Sequence, residues 1–284
     1  MLDFNPPPQQ NIEADVARSL QEDMQTGDIT AALLENDIES GYIIAKEPAV
    51  ICGRPWVDAC FRQLDADVDL DWLVEEGQAV LANTVVLKFR GKARSMLSAE
   101  RSALNFLQTL SATATQTAQF VKQLAHSKTK VLDTRKTLPG MRQAQKYAVR
   151  VGGGVNHRMG LFDAVMLKEN HILAEGSIAN AVAKARLYYP ETPIIVEVEN
   201  LDELKQALET NCNRILIDDF SDTDMLAAVE IADGKKPLEV SGSVSLERLK
   251  SICDAGVDFI SVGAITKNIR AIDFSMRLGT HIDS

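Results

Sequence analysis

Between Arg135 and Asn170 the chain places seven Lys or Arg against two acids, in a protein whose formal net charge is -10. Positive charge gathered so locally in an acidic molecule points to a small anionic ligand. Arg135, Lys136, Arg158 and Lys168 flank strand ends and a glycine run, and together read as an anion-binding cluster. The planar fork of arginine suits carboxylates, and the mobile ammonium of lysine suits phosphate. Arg142, Lys146 and Arg150 recur every four residues and are expected on the solvated face of a helix. Gly152, Gly153 and Gly154 precede Asn156-His157-Arg158, so one short segment offers backbone N–H groups, an imidazole and a guanidinium. His157 therefore joins the cluster, and His171 is the weaker candidate.

Lys168 has three readings: an anion binder, a Schiff-base nucleophile, or a member of a structural ion pair. Carboxylates expected on neighbouring strands favour the binder. Glu197 and Asp218 end two apolar runs, with Glu199 and Asp219 beside them. Acids placed so could hold Mg²⁺, accept sugar hydroxyls or stabilise a cationic transition state. For Glu199 and Asp219 a plain solvated loop position fits equally well. The turns Ser241-Gly242-Ser243 and Gly263-Ala264 are suited to present backbone N–H groups to a phosphate. No G-x-G-x-x-G or P-loop pattern occurs, so neither a dinucleotide fold nor a P-loop is supported.

These residues need a scaffold that brings distant segments to one rim. Strand candidates run over 130–134, 163–168, 194–198, 214–218, 237–241 and 259–263, with amphipathic helices between most of them. Regular alternation of this kind predicts a parallel sheet with right-handed crossovers, either an incomplete barrel or a doubly wound sheet. In both, ligands sit at the carboxyl ends of the strands, where the polar residues fall. Upstream, strands are expected over 41–47, 49–53, 68–74 and 84–90. A helix is expected over 54–64 with Pro55 in its first turn, and a long helix over 98–125 capped by Ser98.

Composition removes whole classes of partner. Aromatic residues make up 5% of the chain and the charge is negative, which argues against nucleic acid and anionic membranes. The four cysteines are scattered without a C-x-x-C pair, which suits a reducing compartment. The first residues, MLDFNPPPQQ, lack the pattern of a secretory signal, so a cytoplasmic address is expected.

Several long motifs in order carry a resemblance. They are GDIT (27–30), ERSALNFLQTLS (100–111), DTRKTLPGMR (133–142), GGGVNHRMGLFDAVMLKENH (152–171), EVEN (197–200), LIDDF (216–220), SGSVSLERL (241–249) and DFISVGAITK (258–267). Over nearly its whole length the chain resembles the quinolinate phosphoribosyltransferases. The resemblance implies an α/β protein with an N-terminal α/β sandwich (1–110, with the tail 275–284 returning to it). A C-terminal incomplete α/β barrel of about six or seven strands would cover 111–274. It implies a pentosyltransferase of NAD biosynthesis that joins quinolinate to phosphoribosyl pyrophosphate with loss of CO₂, using Mg²⁺ and no organic cofactor. A homodimer with shared sites is implied, Arg101 reaching the partner's site. Arg135, His157 and Arg158, helped by Lys168, would hold the two carboxylates. Lys136 and Lys168 would meet the pyrophosphate, and Glu197 and Asp218 the ribose hydroxyls and Mg²⁺. Ser241, Gly242, Ser243, Gly263 and Ala264 would receive the 5-phosphate. At 110–115 the family usually reads LSG, an aliphatic residue, then AT; here Ala112 and Thr113 stand instead. A related enzyme for another pyridine carboxylate, a Schiff-base aldolase barrel using Lys168, and a non-catalytic metabolite-binding protein are the competing readings.

Overall fold

The computed structural model describes residues 4–242 and 244–279. In chain order its elements are α1 (Gln9–Met24), β1 (Ile38–Ala45), β2 (Ala49–Val50), α2 (Arg54–Leu64), β3 (Asp69–Trp72), β4 (Ala79–Val80), β5 (Thr84–Lys92) and α3 (Ala93–Gln123). Then follow β6 (Lys130–Leu132), α4 (Arg142–Val151), β7 (Val165–Leu167), α5 (Glu169–Glu175), α6 (Ile178–Tyr188), β8 (Ile194–Val198), α7 (Leu201–Leu208) and β9 (Arg214–Asp218). The last are α8 (Asp222–Ala232), β10 (Leu238–Ser241), α9 (Leu249–Ala255), β11 (Phe259–Ser261), α10 (Ala264–Lys267) and β12 (Phe274–Leu278). Contacts divide them into two units. One takes the described residues of Met1–Ala118, Gln143–Gly153 and Asn268–Ser284, the other Gln119–Arg142 and Gly154–Lys267.

The first unit carries a sheet in the order β12-β1-β5-β3, antiparallel throughout, and a small β2-β4 pair. Its core gathers around Trp56, fully buried, whose ring lies 5.6 Å from that of Tyr147 and 6.5 Å from that of Phe106. Of the expected returning tail, residues 275–279 are described, and 275–278 pair with β1 as part of β12. Residues 280–284 lie outside the described residues.

Three local expectations are corrected here. Ser98 does not cap the long helix, because the chain passes from β5 into α3 already at Ala93, whose N–H donates to the Asp37 carbonyl. Ser98 is instead buried inside the helix and its hydroxyl donates to Asp28 Oδ2 at 2.8 Å. The face of Arg142, Lys146 and Arg150 is not solvated: Lys146 is fully buried, and Arg150 Nη2 donates to the Asn5 carbonyl at 2.8 Å. Four-residue spacing shows that residues share a helix face, but not whether another segment covers it. Finally, α1 was not expected. It buries Ile12, Val16 and Leu20, one stripe at four-residue intervals.

Ala112 and Thr113 lie within α3 and are both buried. The Thr113 hydroxyl donates to the Thr109 carbonyl at 3.3 Å, so the polar replacement is satisfied in place. The glycine run that follows α4 has a packing role. A Cβ on Gly152 would stand 2.5 Å from the Ala114 carbonyl oxygen and 2.7 Å from Thr117 Cβ. Two backbones meet there, and neither can yield cheaply. Gly152→Ala is therefore expected to destabilise the protein by about 1–3 kcal/mol, read as a lower midpoint in urea unfolding. A midpoint equal to that of the parent protein would contradict the close approach.

The second unit holds six parallel strands in the order β6-β11-β10-β9-β8-β7. Each falls within one of the six expected runs. A closed barrel would pair β6 with β7. Here these two are the ends of the sheet, and β6 is extended by a parallel bridge from Leu132 to Val155. The incomplete barrel is thus the architecture found. Alternation along the strands sends Met166, Ile195, Glu197, Arg214, Leu216, Asp218, Glu239, Ser241, Phe259 and Ser261 to one face, as the parallel registers show. Ala164, Ile195 and Leu216 form a buried cluster on it with Met166 packed against them.

Candidate active site

At the carboxyl ends of these strands opens a cavity of about 320 Å³. Arg135 and Lys136 reach it from the segment after β6, His157 and Arg158 from the segment after the glycine run, and Lys168 from the end of β7. Glu197 enters from β8 and Ser241 from β10. Seven expected site residues therefore share one wall. Asp218 ends β9, and Gly242, Gly263 and Ala264 follow β10 and β11, but none of the four is among the lining residues. Arg101 is exposed on α3 in the other unit. Ser243 lies outside the described residues.

Local folding explains how the cations are aimed. Arg142, at the start of α4, donates to the carbonyls of Arg135 and Met159 and to the Thr137 hydroxyl, tying together the two segments that carry Arg135 and Arg158. The Thr266 hydroxyl donates to the Lys136 carbonyl at 2.8 Å. A Cβ on Gly263 would stand 3.1 Å from Lys136 Cδ, so the glycine leaves the lysine stem room to pass. The loop 156–163 is braced from inside. Buried Asp133 accepts the His157 backbone N–H at 2.9 Å and a donor from the Asn156 amide. Asp163 accepts the N–H groups of Met159 and Gly160.

Arg158 is held with Nη1 3.4 Å from the Ala164 carbonyl and Nη2 3.6 Å from Met166 Sδ. Burial pulls its pKa below the usual arginine value, and the neighbouring Arg135 charge pulls the same way. Two like-charged guanidiniums lining one cavity favour an anion beside them. Lys168 Nζ is ion-paired with Glu197 Oε2, an arrangement that suits an anion binder better than a Schiff-base nucleophile. His171 serves the backbone: its Nδ1 accepts the Lys168 N–H at 3.1 Å.

The acids form a second sector. Glu199 is pushed above the ordinary carboxylate range, first by Glu169 and also by Glu203, Glu197 and Asp218. Of these acids only Glu197 lines the cavity, where it is paired with Lys168, so a divalent cation taking one or two carboxylates there would draw its other ligands from substrate oxygens. Among the described residues no group of three or more His, Cys, Asp or Glu is arranged to hold a metal by itself.

Sequence reasoning missed Glu239, Thr134, Ser261, Met166 and Leu216 on the cavity wall. For Glu239 a signal existed: it lies two residues before Ser241 on the same strand and so faces the same way. A larger cavity, about 790 Å³, lies in the first unit beside Arg54, Asp58, Glu76 and Tyr147. Its charges are matched locally, Arg54 by Glu75 and the Glu76 carboxylate by the N–H groups of Gly53 and Arg54, so it gathers no net positive charge.

Comparison with known proteins agrees with this geometry. Residues 28–111 match the family model of the quinolinate phosphoribosyl transferase N-terminal domain, and residues 113–277 that of its C-terminal domain. The chain is 44% identical over 240 residues to a probable nicotinate-nucleotide pyrophosphorylase [carboxylating] of Synechocystis, covering 83% of this chain and 81% of that protein. It is 39% identical over 274 residues to the nicotinate-nucleotide pyrophosphorylase [carboxylating] of Mycobacterium leprae, covering 93% and 95%. The solved nicotinate-nucleotide pyrophosphorylase of Francisella tularensis superposes with a TM-score of 0.95 at 47% identity, covering 98% of this chain and all of that one. Cations converging at the open end of a six-stranded parallel barrel, and these matches across both halves, place the chain in the quinolinate phosphoribosyltransferase family.

Proposed function

We propose that this chain transfers the phosphoribosyl group of phosphoribosyl pyrophosphate to the ring nitrogen of quinolinate, with release of pyrophosphate and CO₂, to give nicotinate mononucleotide for NAD biosynthesis. The observation that carries this reading is the convergence of Arg135, Lys136, Arg158 and Lys168 on one cavity in a family whose named members are carboxylating pyrophosphorylases. Arg135 and Arg158, with His157, hold the two carboxylates of quinolinate. Lys136 and Lys168 face the pyrophosphate. Glu197 and Asp218 take the ribose hydroxyls. The turns after β10 and β11, Ser241-Gly242 and Gly263-Ala264, receive the 5-phosphate, with Ser243 assigned alongside them. Arg101 is supplied by the partner of a homodimer. Mg²⁺, held by Asp218 and Glu197 together with substrate oxygens, supplies charge neutralisation on the pyrophosphate when bound.

The bond from ribose C1 to pyrophosphate breaks and its electron pair departs on the leaving oxygen. The pyridine nitrogen lone pair forms the new bond, while Glu197 and Asp218 stabilise positive charge developing at C1. The ribosylated ring is then a cationic electron sink. The bond to the 2-carboxylate breaks, its electron pair stays on the ring carbon stabilised by the adjacent cationic nitrogen, CO₂ leaves, and that pair takes a proton from solvent. Among the described residues no helix is long and apolar enough to cross a membrane.

The test is an assay with both substrates in the presence and absence of Mg²⁺, following nicotinate mononucleotide, pyrophosphate and CO₂. All three are expected in equal amounts, and only with Mg²⁺. Turnover of nicotinate without CO₂, in place of quinolinate, would assign the site to a different pyridine carboxylate. No turnover of either would remove the enzymatic reading.

A further inference from the structure

Glu239 sits in the middle of β10, its carboxylate fully buried, on the wall of the candidate site. Its Oε1 lies 3.3 Å from His157 Nε2 and its Oε2 lies 3.2 Å from Arg214 Nη1. Arg214 comes from the start of β9, with its guanidinium over the Phe259 ring at 5.0 Å from the centroid. The other imidazole nitrogen is also engaged: His157 Nδ1 accepts the Arg158 backbone N–H at 2.7 Å. With Nδ1 an acceptor, the proton of a neutral ring is on Nε2, facing Glu239. The ring is held at Nδ1 by this hydrogen bond and lies within ion-pair distance of Glu239 at Nε2.

A buried carboxylate is costly unless its charge is matched. Arg214 matches it from the side away from the strand ends, which leaves the second oxygen for the histidine. We infer that Glu239 is a positioning residue for the pyridine dicarboxylate: neutralised by Arg214, it fixes the His157 imidazole and through it the Arg158 backbone. This rests on the reading of the cavity as the quinolinate subsite.

Glu239→Gln tests it cleanly. A carboxylate has an acceptor for each of its two donors, whereas an amide has one acceptor and one donor group. Whichever way the amide turns, one of the two contacts becomes donor against donor. Arg214→Met removes the competing donor, so in the double variant Arg214→Met/Glu239→Gln the amide oxygen is free to face His157. For Glu239→Gln the KM for quinolinate is expected to rise on the order of tenfold or more. The KM for phosphoribosyl pyrophosphate should hold within about twofold, and the double variant should recover most of the loss. An unchanged quinolinate KM in a folded Glu239→Gln protein overturns the inference. So does an equal rise in both KM values, or a double variant no better than the single one.

A readout independent of turnover separates this from the assignment of function. Long-range ¹H–¹⁵N spectra of the unmodified protein, with His157 identified by loss of its signals in His157→Asn, should show the Nε2–H form. An Nδ1–H form of His157 sinks the inference even if Glu239→Gln fails to fold. If the Nε2–H form is present and quinolinate is not turned over, the function is wrong and the clamp stands.

Discussion

Replacing Arg158 with alanine is expected to weaken quinolinate binding by about 2–5 kcal/mol, or roughly 30-fold to several-thousandfold in Kd. Three features put this change ahead of others on the wall. The guanidinium is partly buried, so its contact with a carboxylate is only weakly screened. It is held in place beforehand by the Ala164 carbonyl and Met166, so little ordering is left for the moment of binding. Arg135 already repels it, so a dianion between the two relieves a strain that the free protein carries. The third feature yields a further expectation. Losing either arginine should remove most of the binding, so Arg135→Ala and Arg158→Ala should combine to less than the sum of their separate losses. Arg158→Lys should not restore affinity, because an ammonium cannot make the paired contacts of a planar fork. Titration calorimetry of quinolinate into the parent protein, the two alanine variants, their combination and Arg158→Lys at fixed ionic strength measures this. Binding by Arg158→Ala within twofold of the parent protein would sink the assignment.

How far the sequence could be read depended on what each pattern reports. The six strands of the second unit were legible because each is a short apolar run that ends in a polar residue. Alternation with helices then forced a parallel sheet and a common rim. The cations on that rim followed from their position beside strand ends. Contacts made by distant chain were not legible. Arg142, Lys146 and Arg150 share one helix face in both reading and structure, but their burial is decided elsewhere: Arg142 by the loops at 135–137 and 159, Arg150 by the backbone at Asn5. Ser98 is a good cap by type and was overruled because α3 begins five residues earlier, straight from β5. Helix α1 escaped because its apolar stripe is only three residues in a polar stretch. Glu239 escaped for a different reason. The reading looked at strand ends, while the barrel face continues down the strand with period two, and the charge that makes Glu239 tolerable, Arg214, is on the next strand. A carboxylate inside an apolar run is worth pursuing wherever a neighbouring strand offers a cation at the same depth.

Mixing two inactive chains should restore activity if the site is completed by the partner. Arg101 is exposed on α3 of the first unit, on the same helix face as Asn105 and Gln108, whereas Lys168 is at the end of β7 in the second. In a homodimer with shared sites, Arg101→Ala disables the partner's site, while Lys168→Ala disables the site in its own barrel. In a heterodimer of these chains one site carries both changes and the other carries neither. Random assembly of equal amounts makes about half of all dimers heterodimers, so roughly one quarter of the original sites should return. If Arg101 served its own chain, every site in the mixture would keep one defect, and activity would stay at the mean of the two single variants. If Arg101 had no part in the site, Arg101→Ala alone would remain active. The measurement is turnover after unfolding and refolding the mixture, with heterodimer shown by two affinity tags. Recovery near one quarter supports a guanidinium delivered across the interface, and none in proven heterodimers removes Arg101 from the partner's site.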